Sequence, residues 1–253
     1  VEVKDNYVII SSSNLRNINI NTLNVVDTSY LFFQCYNLIE ISNFHTNNVV
    51  NMDYMFYHCY NLVEVPNFNT SNVTTMSGML KGCYKLTMVP QFDTSNVISM
   101  TAMFSECNNL TEIPNFNTSN VTNMGYMFQY CPNLINVPNF DTSNVTNMDR
   151  MFYNCNNLIT VPNFNTSNVT SMVYMFNNCY NLSSNSYANI ANSLPLAINL
   201  TNQYISNIGL NISNFTIEQI RILNSKGYLD AIYIEGAATA YDIYYTLVEE
   251  VES

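Results

Sequence analysis

The chain has 253 residues, 47% of them apolar, and its 7 basic against 18 acidic side chains give a net charge of -11. That apolar share excludes global disorder, and the acidity disfavours nucleic acid and anionic lipid as partners, because like charges repel. No run of about 18 apolar residues and no basic-then-apolar leader is visible, so neither membrane insertion nor a signal peptide is expected in this stretch.

Taken in order, residues 1–14 contain a YVII run that predicts a short cap strand shielding the open end of the repeats after it. LRNINI (15–20) predicts another strand, and TLNVVDTSYLFFQC is a degraded repeat with Thr28 and Leu31 where later units carry Met. The unit NFHTNNVVNMDYMFYHC (43–59) is nearly regular. Regular units begin at 67, 91, 115, 139 and 163, a 24-residue period written most cleanly as NFNTSNVTNMGYMFQYCPNLINVP (115–138). A fixed period of this length means a solenoid, in which each unit buries its apolar face only against its neighbours.

Two spacings recur inside each unit. Leu134, Val137 and Phe140 belong to a β-branched run bounded by turn residues, read as a strand, with Pro at 66, 90, 114, 138 and 162 where the ladder is not continued. After a Thr-Ser-Asn turn, Val121, Met124, Met127, Phe128 and Cys131 predict a short helix with one buried face. Seven cysteines, Cys35, Cys59, Cys83, Cys107, Cys131, Cys155 and Cys179, recur once per unit, which reads as a ladder of free, buried thiols rather than a disulfide framework. The Thr ladder (Thr46 to Thr166) and the Asn ladder (Asn72, Asn96, Asn120, Asn144, Asn168, with Asn48 before them) are read as structural, bonding backbone of their own and the next coil.

The pattern N-F-[ND]-T-S-N-V-T-x-M-x-x-M-F-x-x-C-x-N-L resembles the repeats of BspA-like leucine-rich-repeat surface proteins, in the branch found in low-GC bacteria and phage genomes, over about residues 15–182. The resemblance implies a right-handed α/β solenoid with a parallel β-sheet on one face and short helices on the other. It also implies an attachment role on a cell or virion surface without enzymatic activity. Val-Pro-x-Phe stands here where that family carries a longer Leu-Asp-Leu-Ser-x-Phe.

From Ser183 the period breaks, so residues 183–253 are read as a capping helix and a small α+β region. Ser186 is the expected N-cap of the capping helix, with Ile190 and Leu194 inward and Pro195 ending it. Residues 198–209 suggest a strand and a turn of helix. Thr216 and Gln219 predict a capping box, with Ile217, Ile220 and Leu223 inward and Gly227 at the C-cap. Residues 229–236 suggest a strand, and 237–253 fit either a helix (Tyr241, Tyr245, Val248) or a strand (Ile243, Tyr245, Leu247), the strand with an acidic tail being the reading preferred.

No phosphate loop, nucleophile elbow or HExxH occurs, no closely spaced ligands suit a metal, and no cofactor is expected. His45 and His58 are read as surface or cap residues. Glu40, Glu64 and Glu112 share one slot, and a stacked Glu40–Glu64 pair would suit a retaining glycosidase, so Glu64→Gln is the test of a glycan-cleaving enzyme. The candidate binding slots are instead Glu40, Glu64, Met88, Glu112, Asn136 and Thr160 on the strand face, with Tyr54, Tyr126, Tyr174, Tyr60 and Tyr84 beside the helix, because a fixed interior leaves outward positions free for recognition. The expected chain is a solenoid of about seven coils, about 35 Å long at roughly 4.8 Å per strand. It would recognise a host protein or neutral glycan at a bacterial or phage surface, or else assemble with copies of itself.

Overall fold

The computed structural model describes residues 2–4, 7–9, 14–19, 22, 24–42, 44–195, 208–210 and 214–227. The elements expected over 229–236 and 237–253, and most of that over 198–209, lie outside the described residues. β1 (Glu2–Lys4) and β2 (Tyr7–Ile9) pair antiparallel, and β3 (Asn17–Asn19) pairs parallel with β4 (Glu40–Ser42). α1 (Ser184–Ser193) and α2 (Ile217–Ser225) come after the repeats.

Between them each unit makes one coil, and equivalent side chains stack in columns. Phe104, Phe128, Phe152 and Phe176 lie with ring centroids 5.6, 5.7 and 5.5 Å apart. Phe68, Phe92 and Phe116 form a second column at 6.2 and 6.3 Å. The Leu, Val, Met and Cys columns beside them are buried. Each such side chain contributes about 1.5–3 kcal/mol through burial, and almost all of it needs the neighbouring coil.

The run expected as a helix is not one. In the coil of residues 115–138, Tyr126 and Tyr130 have φ of 62° and 58°, and the equivalent pair in every other coil is also left-handed. Positive φ at the third residue of a four-residue turn is the type II arrangement, and it stops the i to i-4 ladder. The amides of Met127, Gln129 and Cys131 donate three residues back, to Met124, Tyr126 and Phe128. The intervening amides of Met124, Tyr126, Phe128 and Tyr130 donate to the next coil instead, at Asn147, Asp149, Met151 and Tyr153, over 2.7–3.0 Å. Spacing at i, i+3, i+7 buries one face of this chain of turns as it would a helix, which is why periodicity alone misread it.

The expected parallel sheet is also narrower than the sequence suggests. Leu134, Val137 and Phe140 are buried three residues apart, which is the spacing of an extended polyproline-type run and not the alternation of a strand. Along that face the described residues pair only as β3–β4 and at Asn136–Thr160. A single-residue parallel bridge per coil runs elsewhere, through Asp27, Asn51, Thr75, Ser99, Asn123, Asn147 and Ser171.

At the far end the N-cap of α1 is Ser183, three residues before the expected Ser186. Ser186 closes the last coil instead, its hydroxyl donating to Ile159 O at 2.9 Å and accepting Val161 N–H at 3.1 Å. Thr216 and Gln219 form the expected capping box on α2, Ile220 and Leu223 are buried and Ile217 is half-buried. Gly227, at φ 85°, comes just after the C-cap Lys226, whose ammonium donates to Ala191, Asn192 and Leu194 carbonyls at 2.7–2.9 Å and clamps α2 onto the end of α1.

Gly78 and Ala102 occupy the same left-handed slot in successive coils. A Cβ on Gly78 would overlap the Tyr54 ring. Gly78→Ala should therefore lower stability by about 1–3 kcal/mol, while Ala102→Gly, which loses one methyl and relieves a left-handed L-residue, should raise it by up to about 1 kcal/mol. Urea unfolding of the two variants checks the opposite signs.

Candidate recognition surface

Every coil has two outward faces. On the extended face, the turn closed by Leu134 N–H on Cys131 O places Leu134 inward and leaves Ile135 and Asn136 outward before Val137 turns in again. Repeated six times, this exposes Glu40, Glu64, Met88, Glu112, Asn136 and Thr160, each beside Ile39, Val63, Thr87, Thr111, Ile135 or Ile159. Met88 is 62% exposed, Val63 46%, and Ile135 and Ile159 43% each, a large apolar exposure for one face. Thr111, Ile135 and Ile159 line a groove of about 570 Å³ with Asn133, Asn157 and Asn181. Glu40 and Glu64 line a separate cleft of about 310 Å³ with Ile41, Val65 and Pro66. Both carboxylates are exposed to water, and the rest of the lining, Ile41, Val65 and Pro66, carries no titratable side chain.

The turn face carries the tyrosines; Tyr36, Tyr54, Tyr60, Tyr84, Tyr126 and Tyr174 are half-buried, and Tyr30, Tyr130 and Tyr180 are exposed. Tyr54 stacks on Tyr30 at 5.1 Å and lies over Gly78. Tyr126 and Tyr174 flank the Arg150 guanidinium at 5.7 and 5.4 Å, a cation–π sandwich across three coils. Tyr36, Tyr60 and Tyr84 form one stack at 4.9 and 4.6 Å. Their ring faces are spent on one another, so edges and hydroxyls are what they offer to a partner. His58 lies over Gly82, with Tyr57 stacked at 3.9 Å, Tyr60 Oη 3.3 Å from Nδ1, and the Glu106 carboxylate 3.7 Å from Nε2. Lys81 joins Glu106 at 3.3 Å. Neither Arg150 nor this His58 cluster is legible from spacing, although two glycines four residues apart, in slots that apart from Ala102 hold larger side chains, mark the gap that His58 crosses.

The invariant polar residues bond between coils. The amides of Asn72, Asn96, Asn120, Asn144 and Asn168 donate backwards to Asn47, Ser71, Ser95, Ser119 and Ser143 carbonyls at 2.6–2.8 Å. The hydroxyls of Thr46, Thr94, Thr118 and Thr142 donate forwards at 2.7–2.9 Å. The thiols of Cys59, Cys83, Cys107, Cys131, Cys155 and Cys179 donate to the Phe or Leu carbonyl of the preceding coil at 3.0–3.3 Å. Those carbonyls also accept the Cys amide of their own coil, so the cysteine fills a position that an alanine cannot satisfy. All seven are free and buried, and burial pushes the Cys131 and Cys179 thiols up to about 12.

A family model described as "Mycoplasma protein of unknown function, DUF285" matches residues 7–110 and again residues 87–190. Among solved structures, the crystal structure of a T. pallidum leucine-rich-repeat protein (TpLRR) is similar at TM-score 0.51 and 18% identity, covering 74% of this chain and 88% of that one. That likeness is one of fold. No curated protein matches.

Two outcomes are expected from the buried columns. A disulfide exchange reagent should find essentially no reactive thiol in the native chain and seven after denaturation, because all seven are buried and burial pushes the thiols from Cys59 to Cys179 upward. Burial also holds His58 below its ordinary value of 6.5, against the opposing pull of Glu106 and with a smaller lowering from Lys81. The unfolded chain therefore takes up this proton first: stability is complete above 6.5 and falls as the pH drops from there toward the lower folded value. The urea midpoint of His58→Gln should lose that part of the acid dependence.

Proposed function

The chain belongs to the DUF285 family, and we propose that this member is a non-enzymatic recognition module that binds a protein through the outward slots of its extended face. The carrying observation is the row of exposed apolar side chains, Ile39, Val63, Met88, Ile135 and Ile159, that runs along this face at positions that change from coil to coil while the interior does not; Val26, Val50 and Ile98 make a shorter exposed series in another slot. A scaffold that needed only to stand would have no reason to keep them bare of charge. Leucine-rich-repeat solenoids suit this use, since stacking presents one long continuous surface.

The finer reading is a BspA-like attachment protein displayed on a bacterial cell or a phage particle, meeting a host-surface protein. The stack of Tyr36, Tyr60 and Tyr84 favours protein over neutral glycan at that end, because a sugar ring needs an aromatic face and Tyr60 has both of its faces covered by other rings, whereas Tyr180 in the same slot is 71% exposed. The net charge of -11 argues against polyanionic receptors.

The test pairs solution mass with adhesion. Light scattering should report a 28.9 kDa monomer at all concentrations, and beads carrying the chain should bind host cells in a manner abolished by trypsin treatment of those cells and by Ile135→Asp with Ile159→Asp. Growth of mass with concentration would make self-assembly the function. Sensitivity to glycosidase in place of trypsin would make the receptor a glycan, and polysaccharide cleavage lost in Glu64→Gln would make the chain an enzyme.

A further inference from the structure

Resting on that reading, we propose that the extended face docks an amphipathic helix of its partner. The helix's apolar stripe would lie along Thr111, Ile135 and Ile159, and its basic residues over Glu112, Glu64 and Glu40. The groove runs along the stacking axis, crossing from coil to coil between the Ile column and the Asn133, Asn157 and Asn181 column. Its rim is already ordered: Asn133 Nδ2 donates to Asn108 O at 2.8 Å and Asn181 Nδ2 to Asn157 Oδ1 at 3.2 Å. Its apolar side, Ile135 and Ile159, is exposed at 43% each.

Spacing selects the occupant's conformation. Stacked coils repeat at about 4.8 Å, and an α-helix lying along the axis presents one stripe residue per turn of about 5.4 Å. Over three coils the two stay within about 2 Å, so each turn meets one coil. An extended segment presents same-side residues about 6.8 Å apart and falls out of step after the second coil. This is the helix-in-groove mode, read by anchors at i, i+3 or i+4, and i+7.

Charge selects its chemistry. The six outward pairs from Ile39 and Glu40 to Ile159 and Thr160 contain three glutamates, all at 112 or before, against one exposed basic residue, Arg16, on the coil that precedes them, whereas Asn136 and Thr160 are neutral. The face is therefore graded in charge, acidic toward one end and uncharged at the other, with exposed apolar side chains along both. A second copy of the chain matches it poorly: of the basic residues in the coils, Lys81 is held by Glu106 and Arg150 by tyrosine rings, leaving Arg16 and Lys85.

The test uses the full chain and a fluorescein-labelled, helix-stapled synthetic peptide carrying one leucine per turn and lysines confined to the turns nearest one end, monitored by anisotropy. Binding should weaken at least about tenfold for Ile135→Asp with Ile159→Asp. It should weaken roughly three- to tenfold, and lose most of its salt dependence, for Glu40→Gln, Glu64→Gln and Glu112→Gln combined. Asp93→Asn with Asp141→Asn, exposed carboxylates outside these slots, should leave it unchanged. Unaltered urea midpoints certify that the variants fold, and Ile135→Asn with Ile159→Asn gives the same answer without added charge. Absence of binding, equal loss in the Asp93/Asp141 control, or preference for a proline-interrupted extended peptide of the same composition overturns the helix proposal. In those cases recognition through this face still stands if Ile135→Asp with Ile159→Asp abolishes cell adhesion. If adhesion survives that pair, the broader reading has failed.

Discussion

The structure depends on the amides that leave their own coil. Two left-handed residues in each unit turn four alternate N–H groups, such as those of Met124, Tyr126, Phe128 and Tyr130, onto carbonyls 23 residues later. A left-handed L-residue costs about 1–2 kcal/mol, and twelve non-glycine residues in the coils adopt this conformation. The offset comes from bonds and stacking that only a neighbouring coil supplies, so no unit is stable alone. The same geometry makes the ends vulnerable. At one of them Phe176 N–H finds Ile208 O, Thr166 donates to Ser193 O, and Ser186 takes over the exposed backbone of the last extended run.

Repetition made part of this structure legible in the sequence. The 24-residue period, the buried Leu, Met, Phe and Cys columns, the β3 strand in LRNINI and the capping box at Thr216 all rest on residue type at a fixed offset. Backbone conformation has no such signature. Tyr126, Arg150 and Asn154 carry nothing in their identity that announces positive φ, and only Gly78 and Gly82 hint at it. A buried face at i, i+3, i+7 is common to a helix and to a chain of alternating turns, and Leu-x-x-Val-Pro-x-Phe has a period of three that a search for strands overlooks. The thiol-to-carbonyl bonds were hidden for a related reason, since a cysteine among hydrophobes reads as one more hydrophobe.

The outward slots were legible as slots, because whatever a scaffold does not fix is left outside. Their grouping was not. Ile135 and Ile159 become a groove only when Asn133, Asn157 and Asn181 stand opposite them, and the tyrosines change meaning once their faces are seen to be covered by other rings or by Arg150. The fold thus divides labour: interior columns and inter-coil bonds hold the array, and the extended face is left uncommitted. Recognition then needs no moving part, since the surface is already ordered before a partner arrives.

Scalar couplings across hydrogen bonds, read by long-range HNCO on the isotopically labelled chain, test the inter-coil ladder most directly. Cross-peaks should join the amides of Met124, Tyr126, Phe128 and Tyr130 to the carbonyl carbons of Asn147, Asp149, Met151 and Tyr153. Couplings from those amides to carbonyls four residues earlier, as in a helix, would contradict the account.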